Sequence, residues 1–276
     1  MQYKLLDSGD GYRLERFGNN IIARPESIAI WQPQTPIAAW RYAAQAIQQE
    51  RGHVSWQINK PFIEPWIMHS NSFSLQLKLS TTKNIGVFPE QASNWQWMQT
   101  LIGNAERKIS VLNLFAYTGG ATLAAAAAGA TVCHVDAAQS VVSAAKENQR
   151  LSGLGDAPIR WIVDDCIKFV QREIKRGVRY DAIIMDPPAF GRGKDGVMFN
   201  FNTHVPMLLQ LCKQLLSDKP LFFLLNAYSM GYSPFVVKNL MSDLFSDVTI
   251  EADELLLTEH KRGYILPCGV YGRIVW

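Results

Sequence analysis

The sequence contains no uninterrupted apolar run that approaches the ~18 residues needed to span a membrane. Its first residues, MQYKLLD, include no apolar signal region. Cysteine is scarce, and the four cysteines are widely spaced, without the paired spacing of a metal site. The five histidines are scattered as well. We therefore expect a cytoplasmic protein with free thiols, no membrane partner and no bound metal.

A strong charge of either sign is also lacking, since the net charge of the 276 residues is +3. Residues 1–108 carry 11 basic and 8 acidic side chains, whereas residues 109–276 carry 16 of each. The slight positive excess therefore lies in the first part of the chain. It is compatible with an ordinary solvated surface, and it neither requires nor excludes a nucleic acid partner.

The first 85 residues are predicted to form a small, mainly β domain, which precedes a second domain over residues 86–276. Short apolar runs separated by turn residues predict strands at 3–6, 12–17 and 21–24. From Thr35 the pattern changes, because apolar residues recur on one face of a 3.6-residue period. This periodicity predicts a helix that ends at Gly52.

After residue 108 the sequence alternates apolar strand patterns with helical ones, which predicts a doubly wound, Rossmann-like α/β sheet. A helix is predicted just before it, over residues 90–102. Five strands are predicted at 109–115, 131–135, 159–163, 180–185 and 220–225. Two further β-rich runs, joined by residues 258–263, are predicted to complete a seven-stranded sheet as an antiparallel hairpin.

A glycine-containing turn, FAYTGG at residues 115–120, joins the first of these strands to an alanine-rich helix. In open α/β sheets, ligands bind at the carboxyl ends of the strands, beside the helix that follows. Glycine at such a turn lets a ligand approach backbone N–H groups closely. A buried turn that binds nothing is about as common, so this motif alone leaves both interpretations open.

Acidic residues end the next two predicted strands. Asp136 ends the second, where a carboxylate can accept hydrogen bonds from both hydroxyls of a ribose. Asp165 and Cys166 follow the third, where a carboxylate and a backbone group can bind an adenine. Each Asp taken alone is equally suited to capping a helix. Together, three adjacent strand ends with such residues predict one nucleoside pocket.

The fourth strand ends in the most specific motif of the chain, Asp186-Pro187-Pro188-Ala189-Phe190. Proline fixes φ and has no backbone N–H, so neighbouring carbonyls lack a donor. The Asp186 carboxylate and the Pro187 carbonyl can therefore both face a ligand, and Phe190 can stack on a planar ring. A rigid turn without a ligand is the alternative interpretation.

These motifs resemble those of the class I S-adenosylmethionine-dependent methyltransferases. The resemblance is closest to the bacterial type that acts on large-subunit ribosomal RNA, whose glycine turn reads Phe-x-Tyr-Thr-Gly-Gly and whose fourth strand ends in Asp-Pro-Pro-x-Phe. It also covers Asp136, residues 146–154, Asp164-Asp165 and, more loosely, residues 86–91. It implies S-adenosylmethionine as the methyl donor and S-adenosylhomocysteine as the product.

The resemblance also implies a set of site residues. The cofactor-binding residues that it implies are Asn113, Phe115, Ala116, Tyr117, Thr118, Gly119, Asp136, Ala137, Asp165, Cys166 and Asp186. The turn of residues 115–119 would lie along the methionine part. Catalysis would depend on Asp186, Pro187 and Phe190. Asn113 stands where many relatives have an acidic residue, which leaves its role open.

One departure from the family pattern bears on the atom that is methylated. Relatives that methylate carbon 5 of a pyrimidine use a cysteine nucleophile just after the fifth strand, where this chain has Asn226-Ala-Tyr228-Ser. A nitrogen has a lone pair and needs no such nucleophile, which favours transfer to nitrogen. Candidate substrate contacts are Arg192, Lys194, Asn226 and Tyr228, although packing or surface roles are comparably common.

Three functions are compatible with these features. The first is a methyltransferase that acts on RNA, such as ribosomal RNA, although residues 1–85 contain no clear counterpart of a separate RNA-binding module. The second is a methyltransferase of a small molecule or of a protein side chain. The third is a nucleotide-binding Rossmann module without catalysis, which the intact Asp186 motif disfavours. The substrate, the methylated atom and the oligomeric state, a homodimer included, are left open.

Overall fold

The computed structural model describes residues 1–49, 53–192, 198–228 and 231–276. These residues form two compact units, Met1–Glu90 with Leu256–Pro267 and Gln91–Leu255 with Cys268–Trp276. No helix within the described ranges has both the length and the apolar character that a bilayer crossing requires. The same ranges contain no group of three or more His, Cys, Asp or Glu side chains suited to holding a metal ion.

The first unit is built on a five-stranded sheet whose strands lie side by side in chain order. The strands are β1 (Tyr3–Gly9), β2 (Tyr12–Phe17), β3 (Asn20–Pro25), β4 (Ala44–Gln48) and β5 (Val54–Ile58). Neighbours pair antiparallel, except that β3 and β4 run parallel. A separate two-stranded sheet pairs β6 (Ile67–His69) with β7 (Ser74–Gln76). The predicted β-rich character of the N-terminal part is confirmed.

The helix predicted from Thr35 to Gly52 is wrong. A single 3-10 turn forms at Ile37–Ala39, and the chain then enters β4. Ala44 and Ala46 are buried and alternate with more exposed neighbours, so burial in β4 follows the two-residue period of a strand. Backbone pairing with β3 and β5 outweighs the helical spacing of the apolar residues. Gly52 itself lies outside the described residues.

Residues 256–267 belong to the first unit through a buried polar cluster. The Glu259 carboxylate accepts a hydrogen bond from Ser8 Oγ at 2.5 Å and two from the Arg262 guanidinium at 2.7 and 2.8 Å. Glu259 is only 2% exposed, so its charge is compensated inside the unit. Ser8 and Glu259 are 251 residues apart in the chain, and no local sequence pattern predicts such a contact.

A seven-stranded sheet forms the centre of the second unit. Its five parallel strands are β8 (Ser110–Leu114), β9 (Thr131–Asp136), β10 (Ile159–Val163), β11 (Ala182–Met185) and β14 (Phe222–Tyr228). Two later strands are β15 (Ile250–Thr258) and β16 (Ile265–Val275), the latter antiparallel to β14. The sheet order is β10-β9-β8-β11-β14-β16-β15. This arrangement confirms the predicted Rossmann-like sheet with its terminal hairpin.

Within the described part of this unit, six α-helices accompany the sheet. They are α1 (Ala92–Asn104), α2 (Gly120–Ala127), α3 (Gln139–Leu151), α4 (Cys166–Lys175), α5 (Phe201–Lys213) and α6 (Pro234–Ser242). The segment 187–200, predicted to be a loop, instead contains a short hairpin of β12 (Phe190–Arg192) with β13 (Met198–Asn200). Because the five parallel strands all end at one edge of the sheet, the loops after them lie at that edge.

Candidate active site

The turn after β8 contains three residues in the left-handed backbone region. Phe115, Tyr117 and Gly119 have φ values of 55°, 49° and 91°. Such a conformation costs about 1–3 kcal/mol for a residue other than glycine. A Cβ on Gly119 would lie 3.2 Å from the Ala145 Cβ, so close packing also favours glycine there. Two strained aromatic residues in one short turn are typical of a ligand site.

Asp136, the last residue of β9, fixes this turn. Its Oδ2 accepts a hydrogen bond from the Tyr117 N–H at 2.9 Å, and its Oδ1 accepts one from the Ala138 N–H at 2.9 Å. A carboxylate has about four acceptor positions, so both oxygens can each accept a further donor. Burial raises the pKa of Asp136, and hydrogen bonds from backbone N–H groups oppose that rise. This carboxylate therefore suits a ligand with two adjacent hydroxyls, and the ribose role of Asp136 and Ala137 stays a prediction.

Backbone hydrogen bonds join the loops at this edge of the sheet. The Ala116 N–H donates to the Val135 carbonyl at 3.1 Å, which links the glycine turn to β9. The Asp164 N–H donates to the last carbonyl of β9 at 3.0 Å. The Asp186 N–H donates to the Leu114 carbonyl at 3.3 Å. The structure thus brings together the three strand ends that were predicted to form one nucleoside pocket, and it links the Asp186 motif to the first of them.

Asp165 caps α4, because its Oδ1 accepts a hydrogen bond from the Lys168 N–H at 2.9 Å. This bond uses one of its two oxygens, and the helix-capping alternative considered from sequence is therefore realised. Cys166 begins the helix and is buried, which raises the pKa of its thiol. Asp164 forms an ion pair with Arg172. The adenine contacts of Asp165 and Cys166 stay predictions.

Asn113 lies in a buried polar network. Its Nδ2 donates to Thr122 Oγ1 at 2.9 Å, and that oxygen is 2.9 Å from His134 Nδ1. Burial lowers the pKa of His134 to about 3, so the ring is neutral at neutral pH. The network joins β8, α2 and β9, the two strands and the helix that flank the glycine turn. This structural role was not predicted, and a cofactor contact of Asn113 stays a prediction.

The motif from Asp186 to Phe190 follows β11 directly. Asp186 is half-buried and Pro187 is buried, whereas Phe190 is 69% exposed. An exposed ring at this edge of the sheet is available for stacking against a planar ligand. The side chain of Arg192 and the whole of Lys194 lie outside the described residues.

Asn226 and Tyr228, near the end of β14, are held by side chains of the segment that opens α1. Gln91 Nε2 donates to Tyr228 Oη at 2.6 Å, and Asn94 Nδ2 donates to Asn226 Oδ1 at 3.0 Å. Asn94 Oδ1 in turn accepts two hydrogen bonds from the Arg273 guanidinium, at 2.5 and 2.9 Å. Asn226 is only 1% exposed and Tyr228 is half-buried. Direct contact of either side chain with a substrate stays a prediction.

The roles of Gln91 and Asn94 were not predicted from sequence. Two weak signals pointed to them: Gln91 ends the segment that loosely matches the family, and the three-residue spacing places both on one helix face. The ring of Tyr228 is also confined by Gly269, where a Cβ would lie 2.9 Å from the Tyr228 Cδ1. The Tyr228 side chain is thus fixed at both its hydroxyl and its ring.

Three of the four cysteines, Cys133, Cys166 and Cys212, are buried. Burial raises the pKa of the Cys133 thiol to about 11 and raises the pKa values of the other two thiols as well. None of these three therefore forms a thiolate readily at neutral pH. Cys268 is half-buried in β16 and immediately precedes Gly269, which pairs with Tyr228. Cys268 therefore lies close in the sheet to Tyr228, a candidate substrate contact.

A family model described as S-adenosylmethionine-dependent methyltransferase matches residues 23–243. The chain is 24% identical over 249 residues to ribosomal RNA large subunit methyltransferase K from Neisseria meningitidis serogroup B, which covers 86% of this chain and 68% of that protein. It is 27% identical over 222 residues to ribosomal RNA large subunit methyltransferase I from Aeromonas salmonicida. That match covers 75% of this chain and 52% of the relative. The chain therefore matches between about half and two thirds of the length of these relatives.

A solved structure is similar over the whole chain. It is the crystal structure of the SAM dependent methyltransferase from Agrobacterium tumefaciens, with a TM-score of 0.94. The two sequences are 37% identical, and the match covers 100% of this chain and 90% of that one. The similarity therefore includes residues of both units.

Proposed function

We propose that this chain, which belongs to the S-adenosylmethionine-dependent methyltransferase family, transfers a methyl group to a nitrogen of an RNA base. Its cofactor is S-adenosylmethionine. The main support for a base as the methyl acceptor is the exposed Phe190, which follows the Asp186-Pro-Pro motif. Unpaired RNA bases are commonly bound by stacking on aromatic side chains. Two relatives named as ribosomal RNA large subunit methyltransferases support RNA as the molecule that carries the base.

The residues proposed to hold the cofactor are the turn 115–119, Asp136 and Asp165. Asp136 fits a ribose because backbone N–H groups fix its carboxylate while acceptor capacity remains on both oxygens. Asp165 fits an adenine amino group, since its helix cap uses one oxygen. Backbone N–H groups of the strained turn fit the methionine carboxylate. The cofactor, when bound, supplies a methyl group activated on a sulfonium sulfur.

Asp186 and the Pro187 carbonyl are proposed to orient the base nitrogen. Both are hydrogen-bond acceptors, so together they can bind the N–H groups of an amino nitrogen and direct its lone pair at the methyl carbon. As the nitrogen–carbon bond forms, the carbon–sulfur bond breaks, and the nitrogen gives up a proton. In this proposal Asp186 accepts that proton, and Phe190 holds the base by stacking.

Transfer to nitrogen needs no covalent bond between protein and base, whereas transfer to carbon 5 of a pyrimidine needs a cysteine nucleophile. Cys133, Cys166 and Cys212 do not suit that role, because they are buried and their thiol pKa values are raised. Cys268 lies near Tyr228 in the sheet. Its substitution therefore tests whether the methyl group goes to a base nitrogen or, through a cysteine nucleophile, to carbon 5 of a pyrimidine.

We expect Cys268→Ser and Cys268→Ala to retain transfer rates within about twofold of the wild type, because a nitrogen lone pair needs no thiolate. The rates are measured with labelled S-adenosylmethionine and RNA from a strain that lacks this protein. RNA containing 5-fluoropyrimidines serves as the control, since a cysteine nucleophile would become trapped on it. A covalent protein–RNA adduct that disappears in Cys268→Ser would overturn transfer to nitrogen.

A further inference from the structure

We propose that the first unit contains a binding site for the phosphodiester backbone of RNA. The site is an open pocket formed by β1, β2 and β6, with Lys4 and Arg16 as its cationic side chains and His69 as a further hydrogen-bonding side chain. This inference rests on the proposed function, because it gives the RNA substrate a contact in addition to the transfer site. It also gives the N-terminal domain predicted over residues 1–85 a role in substrate recognition.

The strand register places two cations directly opposite each other. Lys4 and Arg16 are partners in the antiparallel pair of β1 with β2, so their side chains project from the same face. Like charges in this position repel and destabilise the strand pair. Both residues are exposed, and no carboxylate within the described ranges forms an ion pair with either. The polar neighbour of Lys4 Nζ is another basic side chain, His260, at 3.4 Å. A bound anion would turn this repulsion into attraction.

The remaining lining of the pocket suits a sugar–phosphate chain. Among the described residues that form it, none has an acidic side chain, and they include the amides of Gln2 and Asn19 and the apolar surface of Ile67. His69 Nδ1 is 2.8 Å from Ser74 Oγ, which leaves Nε2 as the ring nitrogen for a ligand. Cationic and amide donors bind phosphate oxygens, and apolar carbon can pack against a ribose.

Backbone hydrogen bonds fix the frame of the pocket. The Gln2 N–H donates to the His69 carbonyl at 2.9 Å, and the Gly18 N–H donates to the Gln2 carbonyl at 2.8 Å. Gly18 has a φ of 59°, which glycine adopts without strain, and this φ lets the turn after β2 close toward Gln2. The three chain segments that line the pocket are therefore joined before any ligand binds. A site of this kind positions a nucleic acid without reading its sequence.

The test compares two double variants of the full chain that lower the net charge equally. Lys4→Gln/Arg16→Gln removes the opposed cations, and the matched control Lys60→Gln/Lys78→Gln removes two exposed cations of the same unit outside the pocket. Each protein is titrated into a fluorescently labelled single-stranded RNA of mixed sequence over a series of salt concentrations. The affinity for S-adenosylmethionine, measured by calorimetry, verifies that both variants are folded.

We expect the pocket variant to bind the RNA on the order of tenfold more weakly at low salt, with a slope of log affinity against log salt that is smaller by about 1.4, since two phosphate contacts are lost. The control variant should stay within about twofold of the wild type, because its cations lie outside the pocket. An equal loss in both variants would indicate diffuse surface charge and would overturn the proposal. Unchanged RNA affinity in the pocket variant would overturn it as well.

Two further measurements separate the possible causes of failure. In the first, inorganic phosphate is titrated into the wild type and the pocket variant. If phosphate binding requires Lys4 and Arg16 while RNA affinity does not, the pocket binds a small phosphate compound, and the proposal is overturned. Methyl transfer to RNA from a strain that lacks this protein, and binding of that RNA by both variants, are measured in parallel. RNA that binds through the pocket but is not methylated would support the pocket and overturn the proposed function. RNA that is methylated, but whose affinity does not depend on Lys4 and Arg16, would support the proposed function and overturn the pocket.

Discussion

Replacing Asp186 with alanine is expected to lower the rate of methyl transfer by about 10²–10⁴-fold, the range typical for loss of a residue that accepts a proton in the reaction. The affinity for S-adenosylmethionine should change much less, because the ribose and adenine contacts are proposed for other loops. Asp186 lies directly after the buried strand β11, and its backbone N–H bonds to the Leu114 carbonyl. That backbone bond survives the substitution, so the local chain path should be kept. Single-turnover transfer to RNA and calorimetry on the same preparations measure the two effects.

Two companion variants make this result specific. Asp186→Asn keeps an oxygen acceptor but cannot take up a proton, so it should retain substrate binding and lose most of the rate. Asp156→Ala removes an exposed carboxylate from the turn between α3 and β10 and serves as the matched control. Transfer by Asp186→Ala at a rate near that of the wild type would contradict the assigned role. An equally large loss of cofactor affinity would show that Asp186 acts mainly in cofactor binding.

Replacing Asp136 with alanine is expected to weaken binding of S-adenosylmethionine by about 100-fold or more, since a hydrogen bond to a charged group contributes about 1.5–3 kcal/mol and two such bonds are proposed. The carboxylate also accepts hydrogen bonds from the Tyr117 and Ala138 N–H groups. The alanine variant therefore loses the support of the strained turn as well. Calorimetric titration measures the affinity, and Asp156→Ala again serves as the control. Wild-type affinity in Asp136→Ala would contradict the ribose role.

The pH dependence of cofactor affinity provides an independent check on Asp136. Only the ionised carboxylate offers both oxygens as acceptors, so affinity should fall as the pH falls through the pKa of this group. Burial raises that pKa, and the loss should therefore begin at a higher pH than it would for an exposed aspartate. Asp136→Asn should bind weakly and without this pH dependence. A wild-type affinity that does not change on acidification would contradict ionisation of Asp136 as a requirement.

The parallel sheet of the second unit could be predicted closely from sequence. The strand Ala182–Met185 is a short apolar run between turn residues, and all four of its residues are buried, as expected for a central strand covered on both faces. The glycine turn and the strand-end acidic residues could be located for the same reason, since each follows a strand directly. Their meeting at one edge is a consequence of parallel topology, and the hydrogen bonds among their loops agree with it.

Features that depend on distant parts of the chain could not be predicted. The strand Ala44–Gln48 has a helical spacing of apolar residues, and only its pairing with β3 and β5 makes it a strand. The bond between Ser8 and Glu259 joins residues 251 positions apart, so nothing local indicates it. The pairing of Gly269 with Tyr228 likewise places Cys268 beside the end of β14 only after the sheet has formed. Side-chain networks follow from such contacts and are therefore invisible in the pattern of one sequence.

The most direct measurement is the identification of the methylated nucleoside. RNA from a strain that lacks this protein is incubated with the purified chain and S-adenosylmethionine that carries a labelled methyl group, then digested to nucleosides and analysed by mass spectrometry. We expect the label in one nucleoside of the RNA, with the methyl group on a nitrogen of the base. RNA from the parent strain, already methylated at that site, should accept little label. Label on a base carbon would contradict transfer to nitrogen, and label confined to protein or small molecules would contradict RNA as the substrate.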